Sequence, residues 1–479
     1  MDAEKENGEK MKKAIMISIV LLSMLALMFA PMTRSTNGPT HVFNVEPVRE
    51  QFIEAADLTL GDPVGTYIPW DVDIINAELA NNGGEDVYVA VIDTGLVWNW
   101  ANFVAPTAII ETALAKGWSY NIVWNLGTND FDFTPNPLRG YITDPLYGSG
   151  HGTHVTCEIV GYQRSTIGVA PHIVQGVAPK VHIIPILGLD YMLVDCPDPS
   201  YYNDYWGASC HDGKVLFAGG DDYMLCSAID YVTSLAVANP SWKIICTNSW
   251  GGYGPDSALR TSIDDGISKG VIFTFAAGNA GAWMDYPGAY PEVISCAAGG
   301  WTMQYLGYAP SNPPAPYRWY LSDVPEKLNT KDALGNNWQT FLEDFSGRPD
   351  KSLGQTWKDL DVCAPGAAVV GPYKPNVSWN GAAWVNINAA TNYYALWGTS
   401  MATPHVAGVA AIIAHDYPQF NQADMEYVLK KAATRIPMAS DGALVYDTSL
   451  WAFKWVDHDY GCGWLTLDNA MMAAAGYQK

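Results

Sequence analysis

Five runs of strand length, residues 87–92, 181–187, 243–247, 271–276 and 293–297, are almost unbroken in apolar residues. A strand with one wet face alternates apolar with polar, so continuous apolarity requires burial on both faces, as in a parallel sheet. Helix-compatible segments at 153–162, 227–238 and 256–269 separate these runs, giving an alternating β/α order. A further segment, 401–415, carries Val406, Ala407, Val409, Ala410, Ile412 and Ile413. A helix apolar on nearly all sides belongs in an interior.

Composition narrows the function classes. With 479 residues and 49% hydrophobic content the chain has ample material for a core, which excludes a disordered or fibrous protein. A net charge of -23 argues against nucleic acid as a partner, because phosphates would be repelled over most of the surface. Charged residues make up only 16%, whereas Trp (19) and Tyr (27) are abundant, so the surface is polar yet sparsely charged.

Residues 14–30 are apolar and follow Lys10, Lys12 and Lys13, the charge arrangement of a signal peptide. The stretch is longer than an h-region of about 7–15 residues and just short of the roughly 18–20 of a spanning helix. Residues 1–35 are therefore expected to be a signal peptide, with Thr33-Arg34-Ser35 as a cleavage site, or a signal anchor. The chain is accordingly expected to be secreted, or held at the cell surface if that segment is retained. Residues 36–65 show no periodicity and read as a linker or short pro-segment. Eight cysteines in an exported chain permit one or two disulfides, the first expected around Cys196 and Cys210. Cys157, Cys246 and Cys296 sit in apolar runs and read as buried thiols.

Four short segments carry chemistry. The first strand run ends on Asp93-Thr94-Gly95, and in open α/β sheets sites form outside the carboxyl ends of strands. Taken alone, Asp93 could equally cap a turn. Gly150-His151-Gly152-Thr153-His154 opens a helix on an imidazole, the side chain suited to proton transfer near neutrality. A metal pair or a structural histidine are the competing readings, and no third ligand stands at a recognisable spacing. Gly398-Thr399-Ser400-Met401-Ala402-Thr403-Pro404-His405 sets a serine at the threshold of the apolar helix. A serine there is commonly a cap, but a nucleophile would gain from the helix dipole and its own N–H. Ala277-Gly278-Asn279 ends another strand on an amide that could take a left-handed turn or donate to an oxyanion.

Together these segments resemble the subtilisin-like serine proteases, as do Tyr286-Pro287-Gly288 and Tyr460-Gly461-Cys462-Gly463-Trp464. The resemblance runs from about residue 66 to 478. It implies an α/β three-layer sandwich with a mostly parallel seven-stranded sheet, enlarged by insertions at about 190–226, 301–342 and 371–397. It further implies Ser400 as nucleophile, His151 as general acid and base, Asp93 as its orienting carboxylate, and Asn279 with the Ser400 N–H as oxyanion donors. His154 and His405 match second histidines of the motifs and read as structural.

By the same resemblance, substrate would add as a strand beside 248–252, with Ser249, Trp250, Gly251, Gly252, Ala277, Gly278 and Ala280 lining the pocket for the side chain before the scissile bond. Many relatives carry a glutamate where this chain has Ala280, so large apolar side chains are expected there. No cofactor is needed for the chemistry. Structural calcium is common in the family. Candidate ligands here are Asn102, Gln163, Ser165, Ile167 and Val169, weakened by Asn102 and Ser165 where Asp and Asn are usual, together with Asp221 and Asp222. The partners expected are polypeptides, with the chain itself a monomer. Two other readings keep the fold: an inactive surface scaffold whose aromatic loops bind a partner, and a ligase or cyclase that passes the acyl group to an amine.

Overall fold

The computed structural model describes residues 42–45, 48–52, 66–97, 99–109, 119–125, 130–136, 150–164, 172–195, 214–301, 340–379, 384–436, 443–446, 451–454 and 459–477. Its central sheet has seven strands: β1 (Val87–Asp93), β2 (His182–Leu187), β3 (Lys243–Asn248), β4 (Ile272–Ala276), β5 (Ile294–Trp301), β6 (Thr340–Leu342) and β7 (Val362–Pro365). The order is β6-β5-β4-β3-β1-β2, with β7 also on β5. All pairings are parallel except β5 with β6. All five apolar runs are strands of this sheet, as their continuous apolarity requires.

Both faces of the sheet are covered. Along β1, Val89 and Val91 point into one core and Ala90 and Ile92 into the other, the two-residue alternation of a strand applied to two dry faces. The first core is closed by helices α1 (His151–Val160), α4 (Thr399–Asp416), α5 (Gln422–Ala432) and α6 (Leu467–Gly476). The second is closed by α2 (Asp222–Ala238) and α3 (Ser257–Ser268). From Thr399 to Ala414, α4 is buried on every side, as its sequence requires. Pro404 is the sixth residue of α4 and cannot donate to Ser400 O, which accepts from Ser249 Oγ at 2.7 Å instead. Truncating a buried residue such as Ile413 to alanine costs about 3 kcal/mol.

The excess length builds structure of its own. Within 190–226, strands Asp190–Asp195 and Lys214–Asp221 pair antiparallel in a second sheet. Within 371–397, Val369–Trp379 and Trp384–Trp397 form a long hairpin that also pairs with Arg49–Phe52. In the 36–65 region, Val42–Asn44 and Arg49–Phe52 are both strands. Val42–Asn44 pairs antiparallel with Gly219–Asp221. Cys157, Cys226, Cys246, Cys296 and Cys363 are buried thiols and Cys462 a half-buried one. Cys196, Cys210, the apolar stretch 14–30 and most of 301–342 lie outside the described residues. Among the described residues no helix is long and apolar enough to cross a membrane.

Candidate active site

Asp93 is the last residue of β1, at the carboxyl edge of the sheet, and His151 is the first of α1. Both are buried, and His151 Nδ1 lies 2.8 Å from Asp93 Oδ1 and 3.0 Å from Oδ2. A carboxylate only accepts, so Nδ1 carries the proton and Nε2 is left as the basic nitrogen. Asp93 is itself held, since Thr94 N donates to Oδ1 at 2.7 Å. The first turn of α1 is seated on the turn after β1: Gly152 N donates to Thr94 Oγ1 at 2.9 Å and Val97 N to Thr153 Oγ1 at 2.8 Å. Glycine is required at 152, because a Cβ there would stand 2.5 Å from the Gly95 carbonyl oxygen.

Ser400 is the second residue of α4 and exchanges bonds with the strand edge: its Oγ donates to Ser249 O at 2.9 Å, and Ser249 Oγ donates to Ser400 O at 2.7 Å. Asn279 follows β4. Its Oδ1 accepts from both Thr399 N at 2.9 Å and Thr399 Oγ1 at 2.8 Å, which fixes the amide and turns Nδ2 the other way. The point where a Cβ of Gly398 would sit is 3.6 Å from Asn279 Nδ2 and 3.6 Å from Ser400 N. Two N–H donors therefore border one space, kept clear by a glycine, beside a hydroxyl. Preorganised donors of this kind stabilise charge that develops on a carbonyl oxygen.

Ser249, Trp250, Gly251 and Gly252 leave β3, while Ala277 and Gly278 leave β4 beside them. The Trp250 indole turns into the core against Phe275 and Phe43 and donates to Ile92 O at 3.0 Å, leaving its backbone to border the space. Ala280 is exposed. Between the two segments stands Asp285, which no motif singled out. A Cβ at Gly278 would lie 2.6 Å from its Cγ and Oδ2, and one at Gly251 2.8 Å from its Cβ. Its position just before Tyr286-Pro287-Gly288 was the available signal.

Behind the site lies a buried ionic network. His405 Nε2 is 3.0 Å from Asp71 Oδ2, its Nδ1 is 2.7 Å from Met401 O and 3.3 Å from Glu158 Oε2, and Glu158 Oε1 is 2.7 Å from His154 Nδ1. Burial works to lower the His405 pKa, but the bonds to Asp71 and Glu158 outweigh it and hold the imidazole up to about 10. The two histidines read as structural thus tie α1 to α4, the helices that carry His151 and Ser400. Sequence reasoning left their carboxylate partners unidentified.

Of the calcium candidates, Asn102 and Gln163 are exposed neutral amides, and Ser165, Ile167 and Val169 lie outside the described residues. Asp221 ends a strand and caps α2, accepting from Met224 N at 2.8 Å; Asp222 is the first residue of α2. Among the described residues no group of three or more His, Cys, Asp or Glu is placed to hold a metal.

Among proteins of known sequence, the chain is 27% identical to fervidolysin of Fervidobacterium pennivorans over 338 residues, 69% of this chain and 35% of that protein. It therefore spans about a third of fervidolysin's length. It is 25% identical to subtilisin DY of Bacillus licheniformis over 377 residues, 77% of this chain and 92% of the relative. Among solved structures, fervidolysin, described as a keratinolytic enzyme related to subtilisin, aligns with a TM-score of 0.46 at 21% identity, covering 84% of this chain and 45% of that one. A psychrophilic protease, S41, aligns with 0.49 at 23% identity, covering 85% and 100%. A model of the subtilase family matches residues 84–463, a stretch that takes in every segment of the site, and the chain belongs to that family.

Proposed function

We propose that the chain is an exported serine endopeptidase, with residues 66–478 as its peptidase domain. Ser400 attacks the scissile carbonyl while His151 Nε2 takes its proton, and Asp93 holds the imidazole in the tautomer that leaves Nε2 basic. The carbonyl oxygen, negative in the tetrahedral intermediate, receives Asn279 Nδ2 and Ser400 N. His151 then protonates the leaving amine, and water resolves the acyl-enzyme by the same steps. No step passes through a metal.

The observation that carries this reading is the orientation of two side chains by their neighbours: Asp93 on His151 Nδ1, and Thr399 on Asn279 Oδ1. Each leaves the reactive atom, Nε2 or Nδ2, for the substrate side. The chain's own Val42–Asn44 strand, lying along Gly219–Asp221 with Phe43 against Trp250, supports a cleft that receives extended polypeptide, and supports a pro-segment role for residues 36–65. A fluorophosphonate probe tests the proposal. Folded protein should be labelled on Ser400 and hydrolyse casein, with both lost in Ser400→Ala; an unlabelled wild type would overturn it. The mass of the peptide products separates hydrolysis from acyl transfer to an amine.

A further inference from the structure

The proposed chemistry leaves one charged side chain in the pocket unused. Asp285 is fixed to both pocket segments through its backbone: its N–H donates to Ala277 O at 2.9 Å, and the next residue, Tyr286, exchanges two bonds of 2.9 Å with Gly252. Its side chain fills the volume that a Cβ at Gly278 or Gly251 would need, with Oδ2 at 2.6 and 3.5 Å from those two points. Two glycines therefore open a slot, and a carboxylate occupies its wall.

The carboxylate is poised for a cation. Asp285 keeps part of its surface in water, yet burial pushes its carboxyl up to about 6, with the nearby Trp283 indole pulling the other way. Among the described residues no Lys or Arg contributes to that shift. A carboxylate desolvated on one side and not offset by a cation gains from any cation brought to its open side. Ala280 removes one charge from this pocket, which was the ground for expecting an apolar partner. Asp285 brings one in from across the fold.

We propose that Asp285 selects the residue before the scissile bond, drawing a lysine or arginine side chain between residues 249–252 and 277–280. This rests on the peptidase reading above. The methylene stem would lie along the backbone walls while the head meets the carboxylate, the usual division of a long basic side chain. Because only hydrogen at 251 and 278 leaves room for Asp285, the two glycines and the acid form one unit.

The experiment uses the full chain and peptide p-nitroanilides that differ only in Arg, Lys, Phe or Glu before the scissile bond. Wild type should show kcat/KM for Arg or Lys above Phe by about 10- to 100-fold, the range of a close charge pair, and Glu should be the poorest. Asp285→Asn should lower the Arg-to-Phe ratio at least about tenfold, and Asp285→Glu should retain a basic preference. The ratio reads only active molecules, so partial misfolding of a variant does not disturb it; wild type alone decides if neither variant folds. Hydrolysis with Phe equal to or above Arg and Lys overturns the role of Asp285 and leaves the peptidase reading standing. Absence of both hydrolysis and fluorophosphonate labelling overturns the peptidase reading, and this proposal with it.

Discussion

Glu158→Gln isolates the ionic network behind the site. In the folded protein His405 lies between Asp71 and Glu158 and is held up to about 10 against an ordinary 6.5. At 1.36 kcal/mol per pH unit that rise is worth about 5 kcal/mol. The sign follows from linkage: a raised imidazole contributes stability that is fully present below pH 6.5 and is lost as pH rises through 10. Asp71 bonds Nε2 directly, whereas Glu158 Oε2 is a charge 3.3 Å from an Nδ1 already bonded to Met401 O, and losing one such buried charged contact costs about 2 kcal/mol. Removing the Glu158 charge should lower the imidazole pKa from about 10. Urea unfolding followed by tryptophan fluorescence, in a Ser400→Ala background to prevent self-digestion, measures the gap. Glu158→Gln should be less stable by about 2 kcal/mol at pH 6 to 8, with the gap closing as pH rises towards about 10. Above that, Glu158 faces a neutral imidazole, and its buried charge no longer favours the folded state. A gap that is the same at pH 6 and pH 10.5 would refute the reasoning, since packing or a neutral hydrogen bond would then explain it.

Three other outcomes follow from the geometry. Asn279→Leu removes one of the two oxyanion donors and should lower kcat by about 10²- to 10³-fold with little change in KM, read from peptide hydrolysis kinetics. Gly152→Ala places a Cβ 2.5 Å from Gly95 O, so the start of α1 must shift; the cost should be about 2 kcal/mol of stability together with lost activity. Because the carboxyl of Asp285 is raised to about 6, it ionises above that pH and is neutral below it. The Arg-to-Phe ratio should therefore be high at pH 8 and fall by pH 5, whereas a flat ratio would remove the acid from specificity.

The parts of the fold readable from sequence were those fixed by burial on both faces. Residues 87–92 read as a buried strand and 401–415 as a buried helix because each run is dry on every side and its length decides between the two. Hairpins of the second and third sheets were not readable, since their pairing is decided by partners far along the chain: Trp384–Trp397 meets both Val369–Trp379 and Arg49–Phe52. The same limit applies at the site. Asp93, His151, Asn279 and Ser400 each stand at the end of a readable element, but the carboxylates of Asp71, Glu158 and Asp285 take their meaning from contacts across the fold. Ala280, exposed beyond the end of β4, was the ground for expecting an uncharged pocket; Asp285 lies between Gly251 and Gly278 through a turn signalled only by its place before Tyr286-Pro287-Gly288. The role of Asp221 as cap was hidden for a related reason, as it depends on where the strand before it stops.

The central claim is that Asp93, His151 and Asn279 make Ser400 a nucleophile. Its most direct test is the mass of the peptide modified by a fluorophosphonate probe, read on intact folded protein and on Ser400→Ala, His151→Ala and Asp93→Asn. The account predicts one adduct, on Ser400, absent in the first variant and formed far more slowly in the other two. An adduct on a different residue, or labelling of Ser400 at an undiminished rate without His151, would contradict it.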